Sequence, residues 1–205
     1  MLKIYLTRHG QDKDNANGVL NGRRNEDLAD IGIAQAKELV EKIEKSSIHF
    51  DFVYSSPLER AFHTAEILCE SLKLDNLVKL DELIERDFGI MTGKKVADIE
   101  KLCAPDIIKS KKIVYFLYVD KCESFEELQM RANKFLVFIK NKHKDGNILL
   151  VTHGDFGKML YACYYNLKWK DVFVNFEFGN CELLLLSEDS KPEDTHVFEI
   201  EQYNV

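Results

Sequence analysis

Residues 2–6 form a short apolar run that stops at Leu6-Thr7-Arg8-His9-Gly10. At that length the run suits a buried β-strand, and Gly10 lets the chain turn sharply where the strand ends. The pattern recurs. Residues 50–54 read as a second strand running into Ser55-Ser56-Pro57-Leu58-Glu59-Arg60, and residues 148–152 as a third running into His153-Gly154-Asp155. Between them lie stretches of helical periodicity at about 30–45, 60–72, 125–139 and 155–165. Strands and helices alternating in this way predict an α/β fold with a mainly parallel sheet and helices on both faces. In such sheets ligands bind outside the carboxyl ends of the strands.

A length of 205 residues suits one α/β domain over 1–205, and the 45% hydrophobic content is enough for its core. No Ser/Gly-rich linker divides the chain. The net charge of −7 argues against a nucleic-acid or anionic-membrane partner. No apolar run approaches the roughly 20 residues of a membrane span, and the N-terminus lacks a signal-peptide pattern. The five cysteines, Cys69, Cys103, Cys122, Cys163 and Cys181, are scattered without CxxC spacing. They read as free thiols in a reducing cytoplasm rather than as a zinc site. A homo-oligomer is left open.

The polar segment 11–27, with Asn15, Asn17, Asn21, Gly18 and Gly22, is expected to be an irregular surface loop. Its Arg23-Arg24 pair either adds positive charge at a pocket mouth or is solvated. In Ser56-Pro57-Leu58-Glu59, Ser56 is expected to be an N-cap, Pro57 the first helical residue and Glu59 the closing acid of a capping box, which puts Arg60 in the first turn. Ser124-Phe125-Glu126-Glu127 is a second capping box. Residues 79–81 are a candidate short strand, and the tail holds two more at 182–186 and 196–200. Residues 90–122 are the least legible: 96–103 suit a short helix, while 113–119 suit a strand, a helix or an ordered lid. Lys109, Lys111 and Lys112 are read as a solvated face flanking it, with attraction of an anionic substrate as the alternative. His49, His63, His143 and His196 have no partners in view and are read as surface residues.

If the first, second and late strands are neighbours, Arg8, His9, Arg60 and His153 line one pocket. Two guanidinium groups can fork onto phosphate oxygens. A neutral imidazole can attack phosphorus, and a second, protonated one can hold an equatorial oxygen. The acid for the leaving alcohol is sought among Glu82, Glu85 and Asp155. Asp155 suits an N-cap better than an acid, and Glu85 has a plainer alternative as a salt-bridge partner for Arg86.

With these residues in view, the chain resembles the histidine phosphatase superfamily, branch 1, also called phosphoglycerate mutase-like. The matches run in order: Leu6-Thr7-Arg8-His9-Gly10, Asn15, Gly22, Leu28 through Gly32 to Gln35-Ala36, and Tyr54-Ser55-Ser56-Pro57-Leu58-Glu59-Arg60-Ala61 with Thr64-Ala65. Glu85 before Phe88-Gly89, Glu123-Ser124 and Val151-Thr152-His153-Gly154 complete them. The resemblance implies an α/β/α sandwich, His9 as the nucleophile that becomes phosphorylated, and Arg8, Arg60 and His153 as the phosphate pocket. It selects Glu85 as the acid, makes Asn15 a phosphate contact and lets the Gly22 backbone amide meet substrate. It implies chemistry without metal or cofactor on a small phosphorylated substrate.

Three departures stand out. Asp12 occupies a place where the family often has a hydroxyl residue, and is expected to face outward or to form a salt bridge. Met91-Thr92-Gly93 stands where many relatives have Trp-Glu-Gly, and Ala29 replaces a capping Thr. The region 93–122 is short and contains no arginine. That favours a phosphomonoester hydrolase over a phosphoglycerate mutase, whose longer insertion grips a carboxylate with arginines. A noncatalytic phospho-ligand binder on the same fold is disfavoured by the complete catalytic set.

Overall fold

The computed structural model describes residues 1–203. The chain runs β1 (Leu2–Arg8), α1 (Lys13–Ala16), α2 (Asp30–Glu44), β2 (Phe52–Ser55), α3 (Glu59–Leu72) and β3 (Leu77–Lys79). Then come α4 (Ile99–Cys103), β4 (Ile107–Lys109), β5 (Val114–Phe116), α5 (Phe125–Lys142), β6 (Gly146–Thr152), α6 (Gly154–Tyr164), α7 (Trp169–Asn175), β7 (Leu183–Leu186) and β8 (His196–Phe198). The six-stranded sheet has the order β3-β2-β6-β1-β7-β8. β3, β2, β6 and β1 are parallel, and β7 turns antiparallel to β1.

Side chains alternate across this sheet, as strand geometry requires. Ile4, Leu6, Ile148 and Leu150 face a core built with α5, α6 and α7. Tyr5, Val53, Leu149 and Val151 face the opposite core, built with α2 and α3. Buried on both sides, the central strands read as nearly continuous apolar runs. The sandwich is therefore the mainly parallel three-layer arrangement that the sequence pattern predicts.

Local details differ in instructive ways. The loop 11–27 contains the one-turn helix α1, because Asp12 caps it by accepting from the Asn15 amide at 2.7 Å. The Ser124 capping box forms with Glu127. The box expected at Ser56 does not. α3 starts at Glu59 with Leu58 as an N-cap that makes no side-chain bond, because Ser56 is engaged elsewhere. α7 went unread in the sequence.

Residues 90–122 contain a 3-10 turn (Val96–Asp98), α4 and the antiparallel hairpin β4-β5. They close a small third core of Phe88, Met91, Ile99, Cys103 and Phe116. The loop 11–27 docks on them through Leu20 N to Lys94 O at 2.8 Å and Gly93 N to Leu20 O at 2.7 Å. Gly89 (φ +51°) is required here, since a Cβ would lie 2.2 Å from the Asp120 carbonyl oxygen.

Candidate active site

Strand register builds the site. Arg8 pairs with Thr152 and Ser55 with Val151, so β1, β6 and β2 end level with one another. His9 N then donates to Thr152 O at 2.9 Å and Ser56 N to Val151 O at 3.0 Å. His9, His153 and Ser56 emerge side by side at one carboxyl edge. The two imidazole centroids lie 5.1 Å apart. The strands carrying Arg8, His9, Arg60 and His153 are neighbours, and His9, Arg60 and His153 are all buried.

His9 is held from three sides. Its Nδ1 lies 2.7 Å from its neighbour Gly10 O, which fixes the proton on Nδ1 and leaves Nε2 with a lone pair. The Asn180 side-chain amide donates to His9 O at 2.7 Å, and Thr64 Oγ1 accepts from Gly10 N at 3.1 Å. Burial, then the Arg60 and Arg8 charges, hold the His9 pKa well below the ordinary histidine value. His9 is therefore neutral and nucleophilic at neutral pH.

Arg60 differs from expectation. Its Nη1 and Nη2 donate at 2.7 Å to the carbonyls of Arg24 and Gly22, so its fork faces the loop. Only Nε faces the site, where it donates to His9 Nε2 at 3.2 Å and lies 3.3 Å from Asp12 Oδ2. Asp12 is fully buried rather than outward, and forms the expected salt bridge; Asn21 also donates to it. The reason is charge: Arg60 is 0% exposed and needs a counter-ion, and breaking such a buried pair typically costs about 3–5 kcal/mol. Gly22 (φ +48°) contributes its carbonyl to Arg60. Asn15 Oδ1 sits 3.5 Å from Arg8 Nη2, and Arg8 Nη1 donates to Phe178 O at 3.3 Å.

Ser56 was missed as a site residue. Its Oγ lies 2.7 Å from His153 Nε2 and accepts from Leu58 N at 3.3 Å. With the Ser56 hydroxyl donating to Nε2, His153 carries its hydrogen on Nδ1. That buried Nδ1, like Arg8 Nε, has no partner among the described residues. Burial, then the Arg60 and His9 charges, hold His153 well below its ordinary pKa. His153 is thus a neutral donor, not the imidazolium anticipated from sequence.

Of the three candidate acids, only Glu85 is buried beside the site with its carboxyl group unpaired by a cation. Glu82 is exposed. Asp155 is not an N-cap, a place taken by His153, and its Oδ2 accepts from Arg86 Nε at 2.8 Å. Glu85 accepts from the amides of Asp155 (3.2 Å) and Phe156 (3.1 Å) at the start of α6, and from Arg86 N at 2.8 Å. Helix-end amides favour the carboxylate, yet burial first and the Asp155 charge second raise its pKa. The Glu85–Arg86 salt bridge does not form. The loop carrying Glu85 is fixed by Arg131, which donates to the carbonyls of Glu82 (2.9 Å) and Ile84 (2.7 Å), and by Arg23, which donates to Glu85 O at 3.1 Å. Arg24 instead pairs with Asp14 and Glu26.

The other histidines are mostly partnered. His143 is buried and bonded to Tyr54 Oη at 2.8 Å, His63 pairs with Asp27, and His196 with Glu182. Only His49 shows no side-chain contact of this kind among the described residues. The five cysteines are free.

A fold and a paired-histidine edge of this kind define a phosphoryl-transfer class. The chain belongs to the histidine phosphatase superfamily (branch 1), whose family model matches residues 4–199. It is similar to phosphoserine phosphatase 1 of Hydrogenobacter thermophilus, 29% identical over 87% of this chain and 82% of that one. It is 30% identical to a metal-independent phosphoserine phosphatase of Arabidopsis thaliana, over 78% of this chain and 67% of that one. Bisphosphoglycerate-dependent phosphoglycerate mutases are among its relatives too. The solved phosphoserine phosphatase of Entamoeba histolytica, in complex with 3-phosphoglyceric acid, shares the fold at TM-score 0.73. It is 22% identical and covers 100% of this chain and 98% of its own.

Proposed function

We propose that this phosphatase hydrolyses small phosphate monoesters through a phosphohistidine on His9. His9 Nε2 attacks phosphorus while Arg8 Nε, Arg60 Nε and His153 Nδ1 neutralise the equatorial oxygens. Glu85, whose pKa burial raises, gives its proton to the leaving oxygen. It then takes a proton from the water that cleaves the phosphohistidine. Asn15 orients Arg8, and Gly22 orients Arg60. Residues 90–122 act as a lid over the alcohol half of the substrate. One observation carries this reading: the neutral His9 Nε2 accepts from Arg60 Nε at 3.2 Å, so a phosphoryl group that displaces this bond meets nucleophile and cation together, beside two buried donors that have no partner among the described residues.

The mutase reading has relatives in its favour. It is weakened by the absence of arginine from 93–122, since a mutase must retain the alcohol and return the phosphoryl group to it. Purified protein is expected to hydrolyse p-nitrophenyl phosphate in EDTA, and His9→Ala to abolish this. Full activity of the variant sinks the reading. Isomerisation of 3-phosphoglycerate outpacing phosphate release establishes the mutase instead.

A further inference from the structure

Lys158 is 5% exposed, one turn into α6, and no carboxylate pairs with it among the described residues. A buried ammonium without a counter-ion is costly unless its protons are well used. Its Nζ donates to Phe176 O at 2.6 Å and to Tyr115 Oη at 3.0 Å. The third ammonium proton has no acceptor among the described residues. Tyr115, from β5, accepts from Lys158, and its own hydroxyl proton has no acceptor among the described residues. The nearby acids are occupied: Asp155 with Arg86, Glu177 with Lys112 and Glu182 with His196.

Position links this pair to the catalytic edge. Phe178 O holds Arg8, while Phe176 O holds Lys158. In extended backbone two such carbonyls lie roughly 7 Å apart. A Cβ at Gly154, one turn before Lys158, would touch Arg8 Cζ at 3.6 Å. The amide of Asp155, three residues before Lys158, holds Glu85. A phosphoryl group at Arg8 with its ester oxygen toward Glu85 directs the next few atoms of the alcohol toward Lys158 and Tyr115.

We propose that Lys158 and Tyr115 form an anion subsite that reads a carboxylate two or three bonds from the ester oxygen. The substrates are then phosphate monoesters of small hydroxy acids. This rests on the hydrolase reading above. Burial, opposed by Asp155, brings the Lys158 pKa down to about 8, so the subsite loses its charge as pH rises past that value. Arg8 from β1 adds to that lowering, while Glu177 and Glu182 oppose it.

O-phosphoserine and O-phosphoethanolamine differ by the carboxylate alone and test the subsite directly. The wild type is expected to favour phosphoserine in kcat/KM by about tenfold or more, the worth of one hydrogen bond to a charged group. Lys158→Met brings the ratio near one, mainly through KM, and Lys158→Arg preserves most of it. No preference in the wild type, or an unchanged ratio in Lys158→Met, overturns the proposal. If Lys158→Met does not fold, Tyr115→Phe and the wild-type pH profile decide. The ratio must fall in Tyr115→Phe and must fall as pH passes about 8; constancy in both overturns it. A wild type inactive even on p-nitrophenyl phosphate is instead a failure of the hydrolase reading.

Discussion

At the scale of single residues, the site works by assigning protons. Gly10 O fixes the His9 proton on Nδ1, and a proton donated by Ser56 to His153 Nε2 sets the tautomer of the second ring. Ser56→Ala frees the second ring to adopt the other tautomer, which offers phosphate a lone pair instead of a donor. Activity is expected to fall about tenfold, the value of one such hydrogen bond. Ser56→Thr should keep it, and nitrogen NMR of the imidazole should report the tautomer change in the alanine variant. Arg8, His9, Arg60, His153 and Glu85 could be named from sequence because each follows a strand end or a recognisable motif. Ser56 could not, because its hydroxyl fits a helix cap equally well. Asn180, Arg131 and Arg23 act across 171, 46 and 62 residues of chain to meet the site, and no local pattern reports such contacts.

At the scale of elements, the legible parts were those with a strong period. β1 and β6 are buried on both faces and keep continuous apolar runs, while α2 and α5 bury one face each, so their patterns survive in the sequence. Residues 90–122 do not: two three-residue strands and a five-residue helix are too short for a period to show. α7 is nearly all apolar or aromatic at its buried positions but spans only Trp169–Asn175. Helix ends offer a direct test. The N-cap of α2 is Ala29, in extended geometry and with no side-chain bond. Ala29→Ser supplies the missing acceptor and is expected to stabilise the protein by about 1 kcal/mol. In a chain of this size that is a rise of roughly 2–4 °C in Tm, measured calorimetrically, with unchanged activity. No rise contradicts the assignment of Ala29 as the cap.

For the whole molecule, an acidic chain carries two arginines, Arg8 and Arg60, at its candidate site. The net charge is −7. No helix among the described residues is long and apolar enough to cross a membrane. Burial also sets the pH response. His9 must be neutral and its pKa is lowered; Glu85 must be protonated and its pKa is raised. Activity on an alkyl phosphate is therefore expected to be bell-shaped. The acid limb follows His9 protonation, and the alkaline limb follows Glu85 ionisation. Glu85→Gln should remove the alkaline limb. A wild-type rate still rising into the alkaline range contradicts the role given to Glu85.

The covalent step is the claim on which the rest depends. Glu85→Gln, mixed with p-nitrophenyl phosphate, still has its nucleophile and a leaving group that needs little protonation, but lacks the base for water. Rapid mixing should give a burst of one nitrophenolate per chain, followed by slow turnover. Acid-labile, base-stable phosphate should then be found on the peptide containing His9, and the burst should vanish when His9→Ala is added. The absence of a burst together with label on another residue, or no label at all, contradicts a phosphohistidine at His9.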